Sequence, residues 1–231
     1  MPLATFPALP SSARRTVAFA SASALILDAL TPSERREYDR LPRENEARLH
    51  DWLAGRCAGK RAVAARFGVP VERLQLVSRT GTGPRCMVRD GECWTHLSVS
   101  ISIAHCDGVA IAAAADSSTR VGVDIERIGE IAPEHLRYFL SASERCADPS
   151  LAWVLKEAAW KALGLGPAVP FTAVQLSFDR ESDALQGVQV DNTWITARAD
   201  VVRFSHLRPL LAAVLEIGDT GEANGNNKEL S

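Results

Sequence analysis

The clearest alternation of hydrophobic and polar residues lies just after the midpoint of the chain. Residues 121–126 read VGVDIE, so apolar side chains alternate with glycine and two acids. This period of two predicts a β-strand with Asp124 and Glu126 on one face and the apolar residues on the core face. The apolar run over 109–115 predicts a buried strand, and the turn-like residues 116–120 separate the two strands.

Two longer segments have the spacing of helices. Over 151–163, Trp153, Glu157 and Lys161 lie four residues apart, which places their side chains on one helical face. Glu157 can therefore reach toward the acidic strand with Lys161 beside it. Residues 46–61 predict a second helix with basic residues on its polar side.

The same features recur along the chain at a nearly constant offset of 100 or 101 residues. Four pairs show it in order: Pro32 and Pro133, the 52/56/60 and 153/157/161 spacings, residues 74–77 and 174–177, and His105 and His206. The repeat predicts two similar αβ subdomains, over 1–119 and 120–217, with a ligand cleft between them. Because one chain completes the cleft, we expect a monomer. The polar residues 218–231 predict a disordered tail.

Composition narrows the classes of protein that this chain can belong to. With 46% hydrophobic and 23% charged residues, the 231 residues can bury a sizeable core. The formal net charge of -2 argues against non-specific nucleic-acid binding, which needs a strongly basic face. Five cysteines without a CxxC pair or zinc-like spacing predict reduced thiols in a cytoplasmic protein. The apolar run over 17–27 is shorter than the ~20 residues of a membrane span, so no membrane contact is expected.

Three carboxylates are candidates for a metal site. Asp124 and Glu126 would repel each other on one strand face unless a cation lies between them, and Glu157 can join them. Magnesium prefers oxygen ligands and leaves positions open for phosphate oxygens. The alternative is a solvated acidic strand and a helix-stabilising Glu157–Lys161 pair worth ~0.3 kcal/mol. The occurrence of all three carboxylates together in the second copy of the repeat favours the metal site. The first copy carries Ser21, Ser23 and Arg56 at the corresponding positions.

The helix over 46–61 and one histidine are candidates for binding an anion. Arg48, Arg56 and Lys60 lie on its polar side, and the repeat places this helix opposite Glu157. A solvated basic face is the alternative reading. His105 stands between a predicted strand and a sharp turn, where its side chain can reach the edge of a cleft.

Together these segments resemble surfactin-type 4′-phosphopantetheinyl transferases. The resemblance rests on GVDIE over 122–126 with WVLKEAAWK over 153–161, on GRCAGK over 55–60, on Gly83 and Pro84, and on the serine-rich strand that ends at His105. It implies a pseudo-twofold α+β fold whose cleft binds coenzyme A and magnesium. The implied reaction moves phosphopantetheine from coenzyme A to a serine of an apo acyl or peptidyl carrier protein and releases adenosine 3′,5′-bisphosphate.

The resemblance also implies roles for single residues. Asp124, Glu126 and Glu157 would hold the metal, and Glu157 or a water on the metal would take the serine proton. Lys161 would stabilise or protonate the departing phosphate, and Lys156 would contact the pyrophosphate. The 3′-phosphate would be held by basic residues: Arg48, Arg56, Lys60 and His105. Members of the family usually have a serine directly before the histidine, where this chain has Ala104.

Two other readings of the same residues stay open. The first is a non-catalytic module of the same fold that binds coenzyme A or a carrier protein. The second is a magnesium-dependent phosphoesterase that uses water in place of serine. The carrier and its pathway carry no readable code, although exposed residues around 131–143 are candidates for carrier recognition.

Overall fold

The structure is a computed structural model that describes residues 14–21, 30–79, 82–129, 131–141, 144, 148–179, 185–204 and 210–217. The first half contains β1 (Arg15–Ser21), α1 (Pro32–Asp39), α2 (Glu46–Phe67), β2 (Leu74–Arg79), β3 (Thr82–Asp90), β4 (Cys93–Leu97), β5 (Val99–Cys106) and β6 (Val109–Asp116). The second half contains β7 (Arg120–Arg127), α3 (Pro133–Leu136), α4 (Pro149–Leu163), β8 (Val174–Phe178), β9 (Leu185–Val190), β10 (Thr193–Phe204) and β11 (Leu210–Ile217). The predicted tail over 218–231 and His206 lie outside the described residues.

The two long helices begin and end at residues that suit their termini. Asn45 accepts the backbone N–H of Arg48 at the start of α2, and Asp148 accepts two N–H groups at the start of α4. The helices end at Gly68 and Gly164, which have φ of 66° and 64°, in the left-handed region that favours glycine. Both predicted helices are confirmed, but α2 continues to Phe67 beyond its predicted end at residue 61, and α4 begins at Pro149 and not at residue 151. Within the described part of the chain, no helix has the length and apolar character needed to cross a membrane.

Antiparallel sheets are connected in the same order in both halves. The first half has sheets of order β2-β3-β4 and β1-β6-β5, and the second has one sheet of order β7-β11-β10-β9-β8. Strand β10 pairs with β9 over 193–196 and with β11 over 197–204, so it takes the places of both β4 and β5. The predicted α+β class is confirmed. A pseudo-twofold axis and the subdomain division at residue 120 stay predictions.

The repeat of the helices differs from the predicted one. Equivalent residues of α2 and α4 are 96 residues apart, as the terminal Gly68 and Gly164 show, and not 101. The following 3₁₀ turns start after Pro70 and Pro170, so the second connection is four residues longer. The predicted match of residues 52/56/60 with 153/157/161 is therefore wrong, because an insertion after the helix cancels the difference farther along the chain.

In the corrected register, the first-half counterparts of the acidic residues also change. Strands β6 and β11 are both eight residues long and 101 residues apart, and their pairing partners set the register of β1 and β7. Asp124 faces Ala213 and Glu126 faces Leu211, whereas their counterparts Ala18 and Ala20 face residues 112 and 110. The acidic strand residues therefore correspond to alanines, and not to Ser21 and Ser23 as predicted. At these two strand positions, the second half still carries carboxylates where the first half has none.

A hydrophobic core between the halves holds β5 against β7. It is built from small and branched side chains of four strands: β5, β6, β7 and β11. Along this seam, Ser100 accepts the backbone N–H of Val121 at 3.2 Å, and Ser102 accepts that of Val123 at 3.1 Å. Among the described strands, β7 has sheet pairing with β11 and not with β5, so the serine side chains take the place of a backbone ladder between β5 and β7.

Replacing Ser102 with Ala should destabilise the protein by about 1–3 kcal/mol, because the buried N–H of Val123 would lose its acceptor. Urea unfolding of the purified variant measures this loss. The matched control is Ser98→Ala, at an exposed position outside the strand, which should change the free energy of unfolding by less than about 0.5 kcal/mol. Equal stability of the two variants would contradict a structural role for the serine seam.

Candidate active site

The two strand carboxylates lie on one face of β7, as the alternation predicts. Asp124 is buried and Glu126 is half-buried, and the intervening apolar residues are buried in the core between the halves. Because side chains on successive residues of a strand point to opposite faces, this core fixes the direction of both carboxylates. The position of the acidic pair is therefore set by packing on the far side of the strand.

Helix α4 approaches β7 closely enough for its polar face to meet these carboxylates. A Cβ at Gly122 would lie 1.8 Å from the backbone carbonyl oxygen of Ala158, closer than any real contact. Only glycine therefore permits this approach. One turn of α4 then places Glu157 and Lys161 over the strand.

Four charged side chains meet at this point. The Nζ of Lys161 lies 2.6 Å from Oδ1 of Asp124 and 3.3 Å from Oε2 of Glu157. Asp124, Glu126 and Glu157 each offer a carboxylate oxygen, and these oxygens lie within 4.8 Å of one another. The predicted acidic cluster and Lys161 are therefore brought together.

The environment of the cluster disfavours its negative charges. Burial raises the pKa of Asp124 from an ordinary 3.8 to about 7, although Lys161 opposes the rise, and Glu157 adds to it. Burial and Glu157 also raise the pKa of Glu126, and a hydrogen bond from Trp153 opposes that rise. Burial opposes the charge of Lys161, but Asp124 and Glu157 outweigh it and keep its pKa above the ordinary value. One lysine thus neutralises only part of the charge of three carboxylates.

The donor set fits a hard divalent cation. The second carboxylate oxygen of Asp124, Oδ2, is buried and has no hydrogen-bond partner among the described residues. A buried carboxylate oxygen without a donor is costly unless a cation or other donor completes its surroundings. Three carboxylates with oxygens within 4.8 Å of one another offer the oxygen ligands that magnesium prefers. Asp124, Glu126 and Glu157 could therefore hold a magnesium ion.

Trp153 also belongs to the site, although the helical spacing predicted only that it shares a face with Glu157. Its side chain donates a hydrogen bond to Glu126. It also packs edge-on against Phe139 with ring centroids 5.1 Å apart. Both side chains line a cavity of about 420 Å³ that also contacts Glu126, Ile131 and Tyr138. The W-x-x-K-E spacing of residues 153–157 could have indicated that Trp153 belongs to the site, because it puts Trp153 one helical turn before Glu157.

Three of the predicted basic residues are buried and have protein partners. Arg56 forms two hydrogen bonds to Glu37 at 2.9 and 3.0 Å and a third to the backbone carbonyl of Leu76. Lys60 lies 2.6 Å from Glu34, and both side chains are 1% exposed. The structure therefore does not bring Arg56 and Lys60 to the acidic cluster, and their predicted contact with a ligand stays untested.

Lys156 occupies the same kind of place in the second half. Its Nζ lies 2.6 Å from Glu144 and 3.4 Å from the carbonyl oxygen of Phe171, and its side chain is fully buried. Glu144 accepts the N–H of Leu176, and Glu34 accepts that of Leu76. Each buried lysine thus ties its helix to a glutamate, and that glutamate also accepts a backbone N–H from the first strand after the helix. Lys156 faces away from solvent here, and its predicted contact with pyrophosphate stays untested.

The remaining predicted anion ligands are accessible. His105 is half-exposed at the end of β5, and its Nδ1 lies 3.5 Å from Asp51. Arg48 is exposed near the start of α2, where its backbone N–H donates to Asn45. In the described part of the chain, neither residue forms a hydrogen bond or ion pair with Asp124, Glu126 or Glu157, so their joint action on one ligand stays a prediction.

A larger groove of about 660 Å³ lies on the outer face of the β2–β3–β4 sheet, away from the acidic cluster. Arg36, Arg85 and His96 line it together with apolar residues such as Met87 and Trp94. None of its described lining residues is acidic. Cavity size alone would favour this groove as a ligand site. The raised pKa values of Asp124 and Glu126 favour the site between α4 and β7 as the place of chemistry.

The acidic cluster lies in a stretch of the chain that matches a known protein family. Residues 120–200 match the family model of the 4′-phosphopantetheinyl transferase superfamily. The matched stretch runs from the first residue of β7 into β10, so it contains the three carboxylates, Lys156 and Lys161. The match supports the superfamily and does not extend to the surfactin-type branch. No curated protein matches the chain.

Proposed function

We propose that this protein transfers the 4′-phosphopantetheine group of coenzyme A to a serine of an apo acyl or peptidyl carrier protein, with magnesium. The observation that carries the proposal is the cluster of Asp124, Glu126, Glu157 and Lys161 inside the stretch that matches the superfamily. Phosphoryl transfer depends mainly on positioned groups that neutralise phosphate charge, and this cluster supplies both an acidic metal site and a lysine.

Each residue of the cluster has a role in this proposal. Asp124, Glu126 and Glu157 would hold magnesium, which when bound would neutralise charge on the diphosphate of coenzyme A. Glu157, half-buried and on the open side of the strand, would take the proton of the carrier serine. Lys161 keeps its positive charge at neutral pH, so its Nζ can donate to an oxygen of the departing phosphate.

The proposed step exchanges one P–O bond for another and moves one proton. The serine oxygen forms a bond to the phosphorus that carries the pantetheine arm, and the bridging P–O bond of the diphosphate breaks. Adenosine 3′,5′-bisphosphate leaves with the electron pair of that bond, and the serine proton passes to Glu157. Burial of Asp124 and the apolar core behind β7 lower the local dielectric, which strengthens each of these charge interactions.

The coenzyme side of the site is proposed from the resemblance. Arg48 and His105 are accessible and would contact the 3′-phosphate. Arg56, Lys60 and Lys156 would have to leave their buried carboxylates to reach a ligand, so we assign them first to holding α2 and α4 in place. We also propose that the chain belongs to the surfactin-type branch of the superfamily.

The carrier would bind beside the cavity that Trp153 and Glu126 share. Ile131, Tyr138 and Phe139 line this cavity, and Tyr138 is 62% exposed. Exposed aromatic side chains next to a reactive site are common protein-binding anchors. The protein would act as a cytoplasmic monomer, and size-exclusion chromatography with light scattering tests its oligomeric state.

The decisive experiment incubates the protein with magnesium, coenzyme A and a panel of apo acyl and peptidyl carrier proteins. We expect intact-mass spectrometry to show one added phosphopantetheine group on at least one carrier, with equimolar adenosine 3′,5′-bisphosphate. Coenzyme A binding without any mass shift across the panel would overturn transfer in favour of a binding module. Free phosphopantetheine without a carrier would identify hydrolysis instead.

Magnesium binding should depend on pH through Asp124. A pKa raised from 3.8 to about 7 means that the apo fold favours the protonated acid, so this group stabilises the fold at low pH. That contribution is lost as the pH rises through about 7. Magnesium needs the ionised carboxylate, so its apparent Kd should rise roughly tenfold per pH unit below that value. Calorimetric titration at pH 5.5, 6.5 and 7.5 measures this. A Kd that is constant over the range would contradict Asp124 as a ligand.

A further inference from the structure

The ion pairs between the two halves include Arg15 with Asp200 and Glu216, and Arg127 with Asp107 at the end of the seam between β5 and β7. The guanidinium of Arg127 donates to Asp107 through three contacts: Nε to Oδ2 at 3.0 Å, and NH2 to Oδ1 and Oδ2 at 2.8 and 2.6 Å. Exposed ion pairs contribute little on average, but a two-pronged arginine–carboxylate contact fixes geometry as well as charge. Arg127 directly follows Glu126, and Asp107 is two residues after His105.

The turn that carries Asp107 is also held from its other side. Asp107 and Gly108 have φ of 54° and 76°, which is the conformation of a tight hairpin turn. The N–H of Gly108 donates to Oδ1 of Asp51 on α2 at 2.7 Å, and Oδ2 of Asp51 lies 3.5 Å from Nδ1 of His105. The turn between β5 and β6 is therefore fastened to α2 by Asp51 and to β7 by Arg127.

The ladder of side-chain acceptors along the seam has a gap near this turn. Ser100 and Ser102 accept N–H groups of β7, and the sulfur of Cys106 accepts the backbone N–H of Arg127. Between them stands Ala104, whose methyl group cannot accept a hydrogen bond. The missing acceptor lies next to His105 and opposite the strand segment between Asp124 and Glu126. Arg127 and Asp107 close the seam just beyond this gap.

We propose that Asp107 and Arg127 form an interhalf clamp that positions His105 relative to the acidic cluster. The clamp deepens the proposed function and rests on it, because its purpose is to hold the coenzyme-binding side of the first half in register with the second. Arg127 and Asp107 are positioning residues. Loss of the clamp weakens coenzyme A binding, and leaves magnesium binding unchanged because all three metal ligands belong to the second half.

Calorimetric titration of coenzyme A into the wild type, Arg127→Gln, Asp107→Asn and the double variant tests the clamp. We expect each single variant to raise the Kd of coenzyme A roughly tenfold, the loss of one charge-assisted contact. The double variant should be no weaker than either single one, because both changes remove the same contact. Arg127→Lys keeps the charge without the two-pronged geometry and should fall between. The Kd of magnesium alone should stay within about twofold in every variant.

Arg73→Gln is the matched control, since Arg73 is similarly exposed and its partners among the described residues, Asp90 and the carbonyl oxygen of Arg89, belong to the first half. It should leave the Kd of coenzyme A unchanged. Hydrogen exchange adds a readout that is independent of the ligand: the amides of residues 106–109 should exchange faster in Arg127→Gln while those of β9 do not. Unchanged coenzyme A affinity in the variants, or multiplied effects in the double variant, would overturn the clamp. A wild type that binds no coenzyme A would overturn the transferase proposal and the positioning role with it, while the exchange data would still report whether the pair ties the halves.

Discussion

Asp124→Asn should lose at least about a hundredfold in transfer activity while its apo form unfolds at or above the wild-type temperature. The wild-type carboxylate is buried, has a raised pKa and leaves Oδ2 without a partner. An asparagine keeps the shape and the acceptor for Lys161, and its N–H groups can face Glu126 or Glu157. The substitution therefore removes a metal ligand and relieves a buried charge together.

Thermal unfolding with and without magnesium separates these two effects. At 100 times its Kd, magnesium should stabilise the wild type by about 2.7 kcal/mol, or roughly 5–10 °C for a chain of this length. Asp124→Asn should show no such rise. The control Asp90→Asn changes an aspartate that is 88% exposed, and it should behave like the wild type. A magnesium-dependent rise in Asp124→Asn equal to that of the wild type would refute the assignment of this ligand.

Gly122→Ala should destabilise the protein by about 3 kcal/mol or more and abolish the metal site. The added methyl group would lie 1.8 Å from the carbonyl oxygen of Ala158, and a backbone oxygen cannot swing aside as a side chain can. Helix α4 must then move away from β7, and Glu157 and Lys161 move with it. The expected fall in the unfolding temperature is roughly 6–12 °C.

Gly83→Ala is the control for this change, because a Cβ there meets no atom within 4 Å. It should leave both the unfolding temperature and magnesium binding close to those of the wild type. A Gly122→Ala protein that is as stable as Gly83→Ala and still binds magnesium would show that the close approach of α4 is not needed for the site.

Much of the candidate site follows from local patterns in the sequence. The period of two over 121–126 places Asp124 and Glu126 on one strand face, and the spacing of four places Glu157 and Lys161 on one helical face. Each of these patterns depends on geometry within a few residues of the chain. The structure confirms that the carboxylates and Lys161 meet.

Other sequence expectations depended on contacts between distant residues. The 52/56/60 and 153/157/161 spacings looked like copies, yet the structure relates Lys60 to Lys156. Both lysines are buried, each against a glutamate that lies outside the lysine's own helix. A basic residue on a predicted polar face has the same local pattern whether water or a carboxylate covers it. Burial of these lysines therefore was not readable from spacing alone.

Local sequence patterns were sufficient to predict the α+β class, the presence of the two long helices and the two pairs of residues, 124/126 and 157/161, that share a face. Only contacts between distant residues bring these pairs together and enclose Lys156. Such contacts also join the halves, through the serine side chains, the pairs of Arg15 with Asp200 and Glu216, and Asp107–Arg127. The physical reason is one of range. Periodicity is fixed by the geometry of one strand or helix, whereas the approach of α4 to β7 is set at Gly122 by the backbone of a residue far along the chain.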